Sequence, residues 1–255
     1  MKMTLEEYIL NPMGKKSAVL NAATREAIAT DYAKRYARIM MREHSIINYY
    51  LYREGAHNHY IAHFKIPSEI VPKFYYDVVF EFRADDHVNT TKNDLFKYEC
   101  KFFSNDPAFV YTYAHVFNNE DLLIPQFRSK MSKKAIKKDA VDKNPSHVIG
   151  YVKTIYLAYL YMKSRGLNKV EVFNAQTRRL VYQTIRNNIE DADTKIKKRQ
   201  DAGAKLEKEK RKEKAKVKAE KQQRNEEIKT INTKMNNVNT IKPKAKISAR
   251  KSSRK

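Results

Sequence analysis

From Lys195 to Lys255 the chain has no Phe, Tyr or Trp, one Gly and one Pro, and 23 Lys/Arg against 7 Asp/Glu. A segment with so little to bury and so much like charge cannot form a core, so it limits the fold to the residues before it. It carries +16 of the formal net charge of +23. Attraction to phosphates is the one interaction that such a composition supplies in abundance, so the segment is expected to bind a polyanion. Its Ala, Glu, Lys, Gln and Arg content favours helix. Asp193/Lys197, Asp201/Lys205, Glu207/Arg211 and Glu220/Arg224 place an acid four residues before a base, each pair contributing a few tenths of a kcal/mol. Ile196, Leu206, Val217 and Ile228 stand ten, eleven and eleven apart, too sparse for a heptad seam. The expectation is an exposed basic helical arm over 195–235 and a disordered basic tail over 236–255, where IKPKAKISARKSSRK mixes Pro and Ser among its charges.

The other 194 residues hold all 28 Phe and Tyr with 29 basic and 22 acidic side chains, the profile of a single globular domain, 1–194, with a basic surface. The lone Cys100 excludes an intrachain disulfide framework and a cysteine-based zinc site, and it fits a reducing compartment. No apolar run reaches the length of a membrane span, and acids stand in MKMTLEEYIL where a secretory leader would be apolar, so no membrane association is expected. Seventeen Tyr without a Trp suit surfaces buried on assembly, or else the drift of a Lys/Asn/Tyr-rich genome.

Hydrophobic spacing gives an α+β fold. Ser17 to Arg53 has apolar residues three and four apart, predicting one long helix or two broken near His44 and ended by Gly55. Period-two alternation from His57 to Phe117 predicts four antiparallel strands near 57–66, 74–83, 95–103 and 109–117. Pairing the second and third strands so that residue numbers sum to 178 sets Tyr76, Val78, Phe80 and Phe82 against Phe102, Cys100, Tyr98 and Phe96. The same register sets Asp77 against Lys101 and Glu81 against Lys97, a solvated ion-pair face. Gln126 to Lys143 reads as a short Lys-rich helix with a thin seam at Phe127, Met131 and Ala135. Val148 to Met162 is apolar nearly all round, hence a helix buried in this domain or by neighbouring copies, and a homo-oligomer is expected. A last helix begins near Asn174, packs through Leu180, Val181, Ile185 and Ile189, and runs towards the arm.

Three constellations are candidates for function. Asp77 followed by Glu99-x-Lys101 has the order of a PD-(D/E)xK nuclease, in which two carboxylates hold a divalent cation and the Lys sits near the attacking water. Tyr76 stands where that motif has Pro, and the ion-pair face explains the same charges. His57, His59 and His63 share one face of an extended strand, a pattern that fits either a metal site or a His-rich strand end. With no phosphate-binding loop, nucleophile elbow or CxxC pair, no cofactor or resident metal is expected and the protein reads as non-enzymatic. The third constellation is basic. Lys130, Lys133, Lys134, Lys137 and Lys138 form a cluster before the arm. In the arm and tail, Lys197, Lys198, Arg199, Arg211, Lys212, Lys214, Lys216, Lys218, Lys246, Arg250, Lys251 and Arg254 are the nucleic-acid-binding candidates. No aromatic interleaves with them, which favours backbone contacts to duplex DNA over base stacking, with structured RNA as the alternative.

The segments KIPSEIVPKFYYDVVFEF (65–82), FFSNDPAFVYTYAHVFN (102–118) and NPSHVIGYVKTIYLAYLYM (144–162) resemble stretches of tailed-bacteriophage virion proteins of uncharacterised family. The resemblance covers roughly residues 60–165 and carries no site motif. It implies a structural role near packaged DNA at the head, neck or collar, in contact with other virion proteins, with the chain in the virion after assembly in the host cytoplasm. The alternatives are a metal-dependent nuclease using Asp77, Glu99 and Lys101, and an RNA-binding accessory protein.

Overall fold

The computed structural model describes residues 2–10, 22–42, 46–84, 94–137, 144, 149–169 and 175–239. Two compact units divide the chain, Met1–Gly203 and Ala204–Lys255. The first is α+β, with one antiparallel sheet in the order β1-β2-β3-β4. Its strands are Ile46–Glu54 (β1), His57–Pro67 (β2), Tyr75–Arg83 (β3) and Glu99–Ser104 (β4).

Two of the expected elements are different. The helix over 17–53 is confined to Ala22–Arg42 (α2, after the short α1, Leu5–Leu10), and Ile46–Glu54 is a strand. The run INYYLYRE fits both periods, and nine residue pairs with β2 decide for the sheet, from Ile46↔Lys65 to Glu54↔His57. Gly55, at φ 61°, supplies the left-handed residue of the intervening turn. The strand expected over 109–117 is helical instead, a π turn at Phe109–Tyr113 leading into Ala114–Asn119 (α3). Asp106 starts it: its carboxylate accepts the Ala108 N–H at 2.7 Å, with Pro107 in the first turn. Phe109, Val110, Ala114 and Phe117 are then buried at a helical, not an alternating, spacing.

The register between β3 and β4 is also corrected. Phe80 faces Phe102, Phe82 faces Cys100 and Glu81 faces Lys101, a sum of 182 where 178 was expected, and Asp77 faces Lys65 of β2. Because the slip is an even number of residues, every side chain keeps its expected face. Two local devices set it. Leu95–Lys97 is a 3-10 turn capped by Asp94, so the strand starts later. At the other end Asn105 clamps Asp77, accepting its N–H and donating to its carboxylate, both at 2.8 Å.

Each sheet face is covered. Over the Phe64, Phe80 and Phe102 face lie Tyr8 of α1 and the helix Lys153–Ser164 (α5), with ring centroids 4.9 Å apart for Tyr8–Phe102 and 6.4 Å for Phe64–Tyr161. The Tyr8 hydroxyl donates to Gly150 O at 2.9 Å and accepts from Val152 N–H at 3.0 Å, tying the N-terminus to the strand-like lead into α5. The other face meets Arg178–Asn188 (α6) and the 3-10 turn Pro125–Lys130, through Tyr52–Tyr182 and Phe103–Phe127. Each buried ring of this size contributes about 2–3 kcal/mol. While the rest of the 17 Tyr are partly or fully exposed, eight, Tyr8, Tyr52, Tyr60, Tyr76, Tyr98, Tyr156, Tyr161 and Tyr182, are buried in this unit. So are Ile155, Leu157, Ala158 and Met162 of α5, whose apolar circumference therefore gives no reason to expect a second copy.

Helix α6 is capped by Thr177, whose hydroxyl accepts the Leu180 N–H at 3.4 Å, and packs through Val181, Tyr182 and Ile185 while Leu180 is exposed. The chain breaks at Ile189–Asp191 and restarts as Ala192–Asn239 (α7), about 70 Å of helix at 1.5 Å per residue. Its first three turns belong to the first unit: Ala192 and Ile196 are buried and the Lys195 ammonium lies 4.9 Å from the Phe74 ring centroid. Among the described residues no helix is long and apolar enough to cross a membrane.

Candidate nucleic-acid interface

The charged sheet face that looked solvated in the sequence is buried: Asp77 is 3 % exposed, Glu81 1 % and Lys101 4 %. Charges out of water persist only when paired, and these are. Lys101 Nζ reaches Asp121 at 2.8 Å, and that bond holds the Asp121 carboxyl below its usual range. Tyr52 donates to Glu81 at 2.6 Å. Burial first, and then the nearby Glu81 charge, raise the Tyr52 and Tyr182 phenols, so both stay neutral. Asp77 is held by Asn105 and by His63 Nε2 at 3.0 Å. Tyr52–Glu81 and His63–Asp77 join strand to strand, and Asn105 and Asp121 tie the loops that hold them to β3 and β4.

The nuclease constellation is not assembled. Glu99 faces Arg83 and Lys101 faces Glu81, so Asp77 and Glu99 are six positions apart along the sheet, about 20 Å at the rise of a strand. Two carboxylates that far apart cannot share one cation, whose ligands lie within about 2.6 Å of it. His57, His59 and His63 do share a face of β2, yet His59 stacks on Tyr52 with centroids 5.0 Å apart and His63 is committed to Asp77. Burial, with Arg83 adding to it, lowers the His59 pKa. Among the described residues no group of three His, Cys, Asp or Glu is placed to hold a metal ion.

The basic candidates divide by environment. Lys133, Lys134 and Lys137 sit exposed on the short helix Lys133–Lys137 (α4). The structure adds two cations that the sequence cluster lacked. Exposed Arg128 lies in the adjoining 3-10 turn, and Arg186 of α6 donates to Ser129 Oγ of that turn at 2.9 Å. Arg186 is 48 to 56 positions from the lysines of the cluster, so only packing brings it there. Three expected contacts are otherwise engaged. Lys130 pairs with Asp191 at 3.7 Å, and Lys198 pairs with Glu190, whose carboxyl it lowers. Arg199 is half-buried next to Asp106 and Tyr76. Burial raises the Asp106 carboxyl, and Lys153 and Arg199 oppose that rise, so Arg199 serves the domain. Lys197 is exposed on the same helix.

In the second unit α7 is exposed on all sides from Glu207 to Asn232, including Arg211, Lys212, Lys214, Lys216 and Lys218. There Arg211 pairs with Glu207 at 3.7 Å, but both side chains are open to solvent and the pair is worth little. Lys138, Lys246, Arg250, Lys251 and Arg254 lie outside the described residues, as do residues 240–255 of the tail expected over 236–255, whose first four residues are instead the end of α7. Residues 204–255 hold 19 Lys/Arg against 6 Asp/Glu, a net +13. Comparison with protein-family models, with curated proteins and with solved structures finds no match for this chain.

Proposed function

We propose that the protein is a non-enzymatic DNA-binding virion or assembly protein of a tailed bacteriophage, whose basic C-terminal segment binds packaged DNA by charge. The observation that carries the reading is α7 from Ala204 onward: a helix with no core to pack on and no aromatic for base stacking, in a segment of net +13. Exposed Lys133, Lys134 and Lys137, with Arg128 and Arg186, form a second basic surface on the first unit. The virion setting, and with it contact with other virion proteins, rests on the resemblance over residues 60–165. The separation of Asp77 from Glu99 speaks against the nuclease alternative.

The test compares the full chain with residues 1–203 for binding to duplex DNA and to structured RNA, at several salt concentrations and with and without magnesium. The cut belongs after Gly203, because Ile196 is part of the first unit's core. The full chain is expected to bind duplex DNA with a steep salt dependence, and the truncated chain to lose most of that affinity. Full affinity in the truncated chain, a clear preference for RNA, or magnesium-dependent cutting would each overturn the proposal.

A further inference from the structure

We infer that α7 meets duplex DNA through one face only, and that the opposite strip, lined by glutamates, is turned away from it. The inference rests on the proposed DNA binding and adds to it an orientation that net charge does not give.

At about 100° per residue, Glu209, Glu213, Glu220 and Glu227 fall within an arc of about 40°, because their spacings of four, seven and seven residues return nearly to the same side of a helix. Four of the six acids between Ala204 and Asn232 therefore form a single line. The third of the circumference centred on that line, about 120° wide, also holds Lys205, Lys216 and Arg224, for a net charge of −1. The remaining two thirds, about 240°, holds eight Lys/Arg against Glu207 and Glu226, for a net +6. Arg211 and Lys218 lie diametrically opposite the acidic line, seven residues and about 10 Å apart along the axis, flanked by Lys208 and Lys214. All four side chains are exposed.

Charge segregated in this way decides the pose of a stiff rod on a stiff polyanion. A duplex has a persistence length of about 150 base pairs, so it cannot wrap the helix and must choose a side. Approach from the glutamate line brings like charges together, whereas on the Arg211 side Lys/Arg outnumber the two acids, Glu207, which pairs with Arg211, and Glu226. A disordered cationic chain would have no such side, because each lysine could reach a phosphate independently. Lys216, although part of the basic run in the sequence, is on the acidic side and is excluded from the contact.

Two double variants of the full chain with the same net charge test this. Arg211→Gln/Lys218→Gln removes two cations from the proposed face, and Lys205→Gln/Arg224→Gln removes two from the acidic side. Gln keeps the helix propensity at these exposed positions. Binding to a labelled duplex is measured by anisotropy over a salt series. The first variant is expected to weaken binding about tenfold and to lower the slope of log K against log salt by about two, one for each lost phosphate contact. The second should change affinity less than about threefold, through net charge alone. Equal losses in the two variants would overturn the single face while leaving DNA binding in place, and no binding by the unsubstituted chain would overturn the underlying reading. Tighter binding to single strands than to duplex would overturn the choice of a rigid partner.

Discussion

His59 is buried on β2 against the Tyr52 ring, and its Nδ1 has no hydrogen-bond partner among the described residues. Burial lowers its pKa, so the unfolded chain, titrating near the ordinary value of about 6.5, binds the proton more readily than the native one. Native stability from this group is therefore complete above about pH 6.5 and is lost as the pH falls below it, by up to about 1.4 kcal/mol per pH unit. His59→Phe keeps the stacking and removes the proton, so urea midpoints of the variant should fall less between pH 7.5 and pH 5 than those of the unsubstituted protein; parallel falls would show that His59 does not contribute. Asp121 is the complementary case. It is the exposed partner of a Lys101 ammonium that has almost no solvent of its own. Asp121→Asn leaves that charge poorly compensated and is expected to cost about 2 kcal/mol by chemical denaturation. Asn is the suitable replacement because Asp121 sits at φ 57°, which Asn tolerates. At this scale the sequence showed which residues carry charge and hid which of them lack solvent. Asp77, Glu81 and Lys101 read as a surface, since alternation names two faces and does not say that α6 and the turn at Pro125 cover the polar one.

Among the elements, the β3-β4 pair shows most clearly what a pattern can decide. Matching aromatic to aromatic and acid to base left several registers of one parity nearly equal, and two contacts outside the pattern choose among them. Asn105 has two hydrogen bonds to Asp77, and Asp94 caps the turn that delays β4. Asn105→Ala is expected to destabilise the protein by about 3 kcal/mol, since it leaves a buried carboxylate with His63 alone, as read by thermal or urea unfolding. A loss below about 0.5 kcal/mol would mean that the register is set elsewhere. The run Ile46–Glu54 went to the sheet for a similar reason: its residues satisfy both periods, and only the partner β2 makes one of them cooperative. The segment at Phe109 went the other way, because its Asp106 cap is a local helix signal stronger than an accidental alternation.

For the whole molecule, the division after Gly203 separates stability from the proposed binding. Residues 204–255 add no buried side chain among those described, so a chain ending at Gly203 should unfold within about 2 °C of the full protein while losing most affinity for DNA. A much larger fall in Tm would mean that the second unit supports the first. The same truncation after Thr194 should be distinctly less stable, because it discards Ile196 and Arg199 with the helix that presents them. Oligomerisation, expected from the apolar run at 148–162, draws no support from the described part of that run, where Ile149, Val152, Ile155, Tyr156, Leu157, Ala158, Tyr161 and Met162 are buried within the chain's own first unit.

The amino-acid sequence by itself determined the α+β class, the two faces of the hairpin and the basic helix that follows the domain. These depend on composition and on periods of two or 3.6 residues, which are local quantities. Register, the choice of sheet for Ile46–Glu54, the burial of the charged face and the arrival of Arg186 beside Ser129 were decided only by tertiary structure. Each depends on a partner far away along the chain, and the free energy of a contact is spent where the partner lies, not where the pattern is written.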